Sequence, residues 1–418
     1  MTLLIGVVLA VITAAYLAAI TARLLIVFTG AAAAPVPAAA GLIPSQQARN
    51  PADRELPAYT VLVPLDRPEP PGDLIDALSA LDYPTTRLQV LLLAAGDARG
   101  IRDGVPGPDH FDVVETGEAS AAGKLAAGLA LARGELCVSY QPGQVPDPGQ
   151  LRAAAAAFSQ LPAWVVCLRP ESRPAGPHSG WLAQCAAAEA TVTGALLPRG
   201  LSKCRLPVPA DGPSSHFRTD ALRHLVTGDD AWPGGPYPSI STRIARRGWS
   251  TRMLASATSE LGDSRPGPWI QRRAAATRMG YLAFSAAVRR PLRLLRDASP
   301  AHLTAIQLTT AAATFTALAN PVFWVLAVAW LAFGGQVAAV VPVPVASAAV
   351  AAMVIGNVVT AYSLMAGCME QRLLHAVRTM LLAPAYWALA SVAAYRALLP
   401  GPRQPQPAHS AATPVPAA

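Results

Sequence analysis

Lysine is almost missing from this chain. It occurs only at Lys124 and Lys203, so the formal net charge of +8 rests on arginine. Charged residues make up 14% of the sequence against 52% hydrophobic ones, which excludes an ordinary soluble domain and places the chain in a membrane class. Aromatic residues are few, and no basic run alternates with them, so no nucleic-acid partner is expected. The five cysteines, at 137, 167, 185, 204 and 368, form no CxxC pair. That spacing argues against zinc and for buried, reduced thiols. The last shortage is local. The turn Gln141-Pro142-Gly143-Gln144 carries no carboxylate before Asp147.

That turn interrupts the segment 132–158, which reads as strand, polar turn and helix. Leu136, Val138 and Tyr140 alternate on the strand. Asp147 then reads as the N-cap of an Ala-rich helix, with Pro148 at its first position. In an α/β sheet, ligands sit in the loop at the carboxyl end of such a strand.

Residues 1–30 form a first apolar run, long enough to cross a hydrocarbon layer of about 30 Å. With no basic stretch ahead of it and an overlong apolar core, it reads as an uncleaved anchor in preference to a signal peptide. Arg23, Arg49 and Arg54 follow, which predicts a cytoplasmic domain next. Residues 31–56, rich in Ala and Pro, read as a linker.

From 57 to 300 the pattern is that of a globular α/β domain. Strands are expected at 59–64, 88–93, 113–114, 136–140, 164–168 and 251–257. Helices are expected at 74–81, 125–132, 181–197, 219–226 and 241–247. This alternation predicts a mostly parallel, Rossmann-like sheet covered on both faces. The stretch near 268–295 mixes Trp269, Ile270 and Tyr281 with arginines and reads as an interfacial helix. Apolar runs at 303–319, 321–340, 344–366 and 380–398 predict three or four further spans within 301–399. The count depends on whether Asn320-Pro321 breaks the first two. Residues 400–418 read as a disordered tail.

Short pieces recur in a fixed order: YTVLVPL at 59–65, LDYPTTRLQV at 81–90, ARGE at 132–135 and PDPGQLR at 146–152. They continue with SHFRTDALR at 215–223, RIARRGW at 243–249, WIQRR at 269–273 and NPVFW at 320–324. In these pieces the chain resembles the membrane-bound family 2 glycosyltransferases, the branch near cellulose and β-glucan synthases. The resemblance implies a GT-A fold on the cytoplasmic face of a bacterial-type inner membrane, with a nucleotide-sugar donor. It also implies a divalent metal, Mg or Mn, and a polysaccharide product.

The same resemblance shows what has changed. The family's metal-binding acids fall on Gln141 and Gln144, and amides supply no negative charge. The catalytic base of its TED motif falls on Tyr237, whose hydroxyl with an ordinary pKa of about 10 is a poor base. Asp230 and Glu260 are weak substitutes, and Asp230 also reads as a solvated loop carboxylate. On the nucleotide side the resemblance leaves Asp97, His216 and the Gln271-Arg272-Arg273 remnant of the QRxRW clamp. Those arginines suit either a diphosphate or lipid headgroups. His216 reads more readily as a packed structural histidine than as a catalyst.

The expected protein is therefore a membrane-anchored glycosyltransferase-like chain without intact catalytic acids and needing no cofactor. It would be a scaffold or regulatory partner of an intact glycosyltransferase or polysaccharide assembly protein. An active enzyme with displaced residues, using Mg or Mn, and a transport or assembly protein are the rival expectations.

Overall fold

The structure is a computed structural model. It describes residues 2–32, 53–65, 72–96, 110–118, 120–175, 180–210, 214–227, 237–261, 265–289, 299–306, 309, 312–370 and 372–399. Most of the expected linker, the expected tail, Asp97 and Asp230 lie outside these residues.

Eight strands form one sheet: β1 (Tyr59–Pro64), β2 (Leu88–Ala94), β3 (Phe111–Glu115), β4 (Leu136–Ser139), β5 (Gln144–Pro146), β6 (Val165–Ala175), β7 (His216–Arg218) and β8 (Ser250–Leu261). Their spatial order is β3-β2-β1-β4-β7-β6-β8-β5. The pairs β1–β2, β1–β4, β2–β3 and β6–β8 are parallel. Short β7 joins β4 to β6 antiparallel on both sides, and β5 pairs antiparallel with β8. The sheet is thus mostly parallel, as the alternation predicts.

Strand periodicity divides the core into two layers. Val61, Val63, Val90 and Leu92 pack with Leu74 and Leu78 of α2 (Gly72–Ser79) and with Leu151 and Phe158 of the helix after β5. Leu62, Leu91 and Leu93 point the other way. They meet Leu125 and Leu129 of α3 (Ala121–Leu131), together with Leu225, Ile240 and Ile244. Both faces are covered, which is why β1 and β2 are continuous apolar runs and not alternating ones. Ser120 caps α3 by accepting from Gly123 N at 3.0 Å.

Several boundaries differ from expectation. Helix α4 (Gln150–Gln160) starts at an N-cap of Gly149, not Asp147. The Asp147 carboxylate accepts instead from Ala257 N at 2.8 Å and Ser256 Oγ at 3.2 Å, fastening the turn to β8. Strand β6 runs on to Ala175 through Pro170 and Pro174; Pro170 falls at a register shift between Arg169 and Glu171, where a missing N–H is tolerated. The helix after it divides into α5 (Trp181–Thr191), a π turn at Val192–Leu196 and α6 (Leu197–Lys203). Helices α7 (Thr219–Thr227) and α8 (Tyr237–Arg246) follow β7. Of the cysteines, four are buried as expected, but Cys204 is exposed.

Among the described residues four helical stretches are long and apolar enough to cross a membrane: Leu4–Ala31 (within α1, Thr2–Ala31), Phe315–Val340, Val343–Glu370 and Ala376–Leu398. The helix Ala312–Val340 continues through Pro321, so Asn320-Pro321 does not separate two spans. Its kink lies at Phe333 (φ −137°, ψ 37°), beside Gly334-Gly335. Three candidate spans therefore follow the sheet among the described residues.

Glycines dock the first span on the helix that follows β6, and one arginine ties the sheet to a later span. A Cβ on Gly30 would run into the Leu196 carbonyl, and one on Gly200 into the Ile26 carbonyl, so each backbone needs the other's missing side chain. Arg199 grips Glu171 of β6 with Nε at 2.5 Å and Nη2 at 2.7 Å. Its Nη1 donates to Glu370, at the end of a span, at 2.6 Å.

Candidate functional site

At the carboxyl end of β4 the chain leaves the sheet through Gln141, Pro142 and Gly143. Gly143 has φ +88°, a conformation that a Cβ would strain. The turn lets Gln144 re-enter as the first residue of β5, opposite Glu260 on β8. Gln144 is 7% exposed, and both ends of its amide are used. Its Oε1 accepts from Gln141 N at 2.9 Å and Ser214 Oγ at 3.3 Å. Its Nε2 donates to Glu260 Oε1 at 3.2 Å. A backbone donor on one side and a carboxylate on the other determine the amide orientation. Gln141 itself is exposed and contributes its backbone N–H.

Glu260 is the carboxylate at this strand end. Burial raises its pKa, and Ser172, Gln144, Arg169 and Arg272 pull it back only in part. Arg272, exposed on α9 (Pro266–Arg289), thus reaches the same electrostatic neighbourhood. Arg273, one residue on, turns away. It holds Glu189 of α5 in a two-toothed grip, with Nη2 to Oε1 at 2.8 Å and Nη1 to Oε2 shorter still. Gln271 is exposed, so the three residues of the clamp remnant point to three different surroundings.

Beneath the turn lies a buried polar network. Gln150 Oε1 accepts from the Tyr140 hydroxyl at 2.7 Å, and its Nε2 donates to Ala257 O at 2.9 Å and Thr258 Oγ1 at 3.1 Å. His216, fully buried, meets the Tyr59 hydroxyl through Nδ1 at 2.5 Å and Gln150 Oε1 through Nε2 at 3.2 Å. Both ring nitrogens are engaged inside the core, and burial pushes the imidazole pKa down to about 3, so it stays neutral. Burial likewise lifts Tyr59 and Tyr140 well above the usual phenol range. Such a network pins β1, β4, β7 and β8 together at the floor of the site.

The structure thus brings Gln141, Gln144, Glu260 and Arg272 together, places His216 below them and separates Arg273 from them. Tyr237 opens α8; its side chain, like Asp97 and Asp230, lies outside the described residues. Sequence reasoning missed Gln150, Ser214 and Glu189. Gln150 and Ser214 carried no signal, because neutral polar residues in a turn have many roles. Glu189 did carry one: it is the lone acid in the otherwise uncharged helix WLAQCAAAEAT.

Neither a family model nor a curated protein matches this sequence. Among solved structures, a mannosyltransferase from Pyrobaculum calidifontis, in complex with GDP-Man and Mn2+, superimposes with a TM-score of 0.53 at 21% identity. The match covers 93% of this chain and 99% of that one. The fold is that of a GT-A-like glycosyltransferase. GalNAc-T7 with UDP, GalNAc and Mn2+ matches 50% of this chain and 44% of its own at 12% identity, with a TM-score of 0.35 that carries no weight.

The sequence resemblance leads to the expectation of a divalent cation at this strand end. The donor set does not fit one. Mn2+ and Mg2+ select carboxylate and other hard oxygens. Among the described residues the carboxylate at this strand end, Glu260, accepts from Gln144 Nε2, and the amide oxygen of Gln144 already takes two hydrogen bonds. The polar groups of this turn are committed to one another.

Proposed function

We propose that this chain is a membrane-anchored, family 2 glycosyltransferase-like protein of envelope polysaccharide synthesis that does not itself transfer sugar. It serves as a scaffold or regulatory partner of an intact glycosyltransferase or of the assembly machinery. Its α/β domain faces the cytoplasm of a bacterial-type inner membrane, with a nucleotide sugar as a ligand that the fold can still accept. One observation carries this reading: Gln144 stands where a metal-binding acid is expected, with its amide closed onto Gln141, Ser214 and Glu260. Sugar transfer needs a base for the acceptor hydroxyl and a counter-charge for the leaving diphosphate. Losing a base alone typically costs about 10²–10⁴-fold in rate.

One observation favours the rival reading of an active enzyme. Glu260 lies at the strand end, with burial raising its pKa toward the range useful for a general base. The two readings separate in a transfer assay on the full chain in nanodiscs, using common nucleotide sugars with and without Mn2+. Turnover at background in wild type is expected. Wild-type transfer abolished by Glu260→Gln or Asp230→Asn would show a displaced base at work. Gain of transfer in the combined Gln141→Asp, Gln144→Asp, Tyr237→Asp variant would identify the lost acids as the cause of inactivity.

A further inference from the structure

A cavity of about 120 Å³, apolar over most of its wall but carrying several polar and charged groups, lies where the spans meet the α/β domain. Its lining includes Arg23 of the first span, Asn320 and Asn357 of the next two, and Glu189 and Arg273 of the domain helices. At ~1.5 Å per helical residue, Arg23 lies about 12 Å inside its span, counted from the domain end, and Asn320 about 8 Å inside its own. Groups this polar at that depth are costly, so they come with partners.

The partners in place do not balance. Glu189 is held by Arg273 on both oxygens and by the Tyr386 hydroxyl at 2.5 Å. Arg23 faces this carboxylate through charge alone, so among the described residues two guanidinium groups share one acid and the cavity keeps a positive excess. Asn320 is 7% exposed, and its Oδ1 accepts no hydrogen bond among the described residues. A buried acceptor left open calls for a donor.

The complementary ligand therefore carries an anion and, next to it, a hydroxyl. Guanidinium favours phosphate. The volume, room for about four waters, suits one phosphate with its nearest substituent. We propose that this cavity seats the headgroup of a membrane lipid, its phosphate on Arg23 and a neighbouring hydroxyl donating to Asn320 Oδ1. Phosphatidylglycerol has both groups. The assignment is independent of whether the α/β domain transfers sugar.

The test is thermal unfolding of the full chain in a neutral detergent with added lipid. Phosphatidylglycerol should raise the midpoint, phosphatidylmethanol (the anion without the hydroxyl) should raise it less, and phosphatidylcholine should leave it unchanged. Soluble glycerol phosphate at equal concentration should do nothing; if it reproduces the rise, the lipid assignment is overturned in favour of a free phosphate. Arg23→Gln should raise the phosphatidylglycerol concentration for half the effect about tenfold. Asn320→Leu leaves the charges intact and covers the case in which Arg23→Gln fails to fold. It should erase the difference between phosphatidylglycerol and phosphatidylmethanol. An equal response to phosphatidylcholine, or an undiminished phosphatidylglycerol preference in Asn320→Leu, overturns the proposal.

Discussion

Gln144 and Glu260 face each other as register partners of β5 and β8, joined by a hydrogen bond of 3.2 Å from amide nitrogen to carboxylate. The pair closes the strand end where a glycosyltransferase fold would gather acids around a cation. Its chemistry determines how the site responds to pH, to metal and to repair.

Glu260 should lower stability at neutral pH. Its folded pKa is raised by burial, so its contribution is fully present below the unfolded value of about 4.3 and is lost as pH rises through the folded value. Glu260→Gln keeps an oxygen for Gln144 and removes the charge. Melting curves against pH should show the variant above wild type at pH 7–8 and level with it below about pH 4. A variant less stable at pH 8 would show that Arg169 and Arg272 outweigh burial.

Gln144→Asp should convert the closed pair into two opposed carboxylates. In EDTA its melting temperature should fall below wild type, and Mn2+ should restore it. Wild type should show no Mn2+-dependent shift, because its amide donates where a cation would bind. An equal Mn2+ response in the two proteins would contradict the donor-set argument.

His216 should make the protein acid-sensitive without taking part in chemistry. Burial holds its pKa near 3, against about 6.5 unfolded, so stability falls as pH drops through that window. His216→Gln should cost about 1 kcal/mol at pH 7.5 from imperfect bonding to Tyr59 and Gln150. It should also flatten the decline between pH 6.5 and 3. Denaturant titrations at several pH values measure both effects.

Removing Glu189 should loosen the junction between domain and spans. Burial pushes its carboxyl up, but Arg273, the Tyr386 hydroxyl and Arg23 outweigh that and hold it at about 2. Its contribution is therefore present above about pH 4.3 and lost as pH falls toward 2. Glu189→Gln leaves two cations with no acid between them and should cost on the order of 3 kcal/mol. Tyr386→Phe should cost about 1 kcal/mol. Calorimetry of the detergent-solubilised chain distinguishes them, and equal losses would mean that the hydroxyl, not the charge, holds the junction.

Much of the architecture could be read from residue order. Two-sided apolar runs such as Tyr59–Pro64 and Leu88–Ala94 imply a covered parallel sheet, since only burial on both faces accommodates them. Long uncharged helices imply spans, because hydropathy is local and additive. That the turn after β4 carries the amides Gln141 and Gln144 and no carboxylate before Asp147 is likewise visible in the sequence itself. What those amides do was not visible. Gln144 meets Glu260, 116 residues away, only because β5 folds back onto β8, and Asp147 leaves its expected cap for the same strand. The continuity of the helix through Pro321 and the gathering of Arg23, Glu189, Arg273 and Asn320 at one cavity were equally hidden. Hydrogen bonds and ion pairs depend on ångström-scale placement of groups distant in the chain, and only the packed tertiary structure decides it.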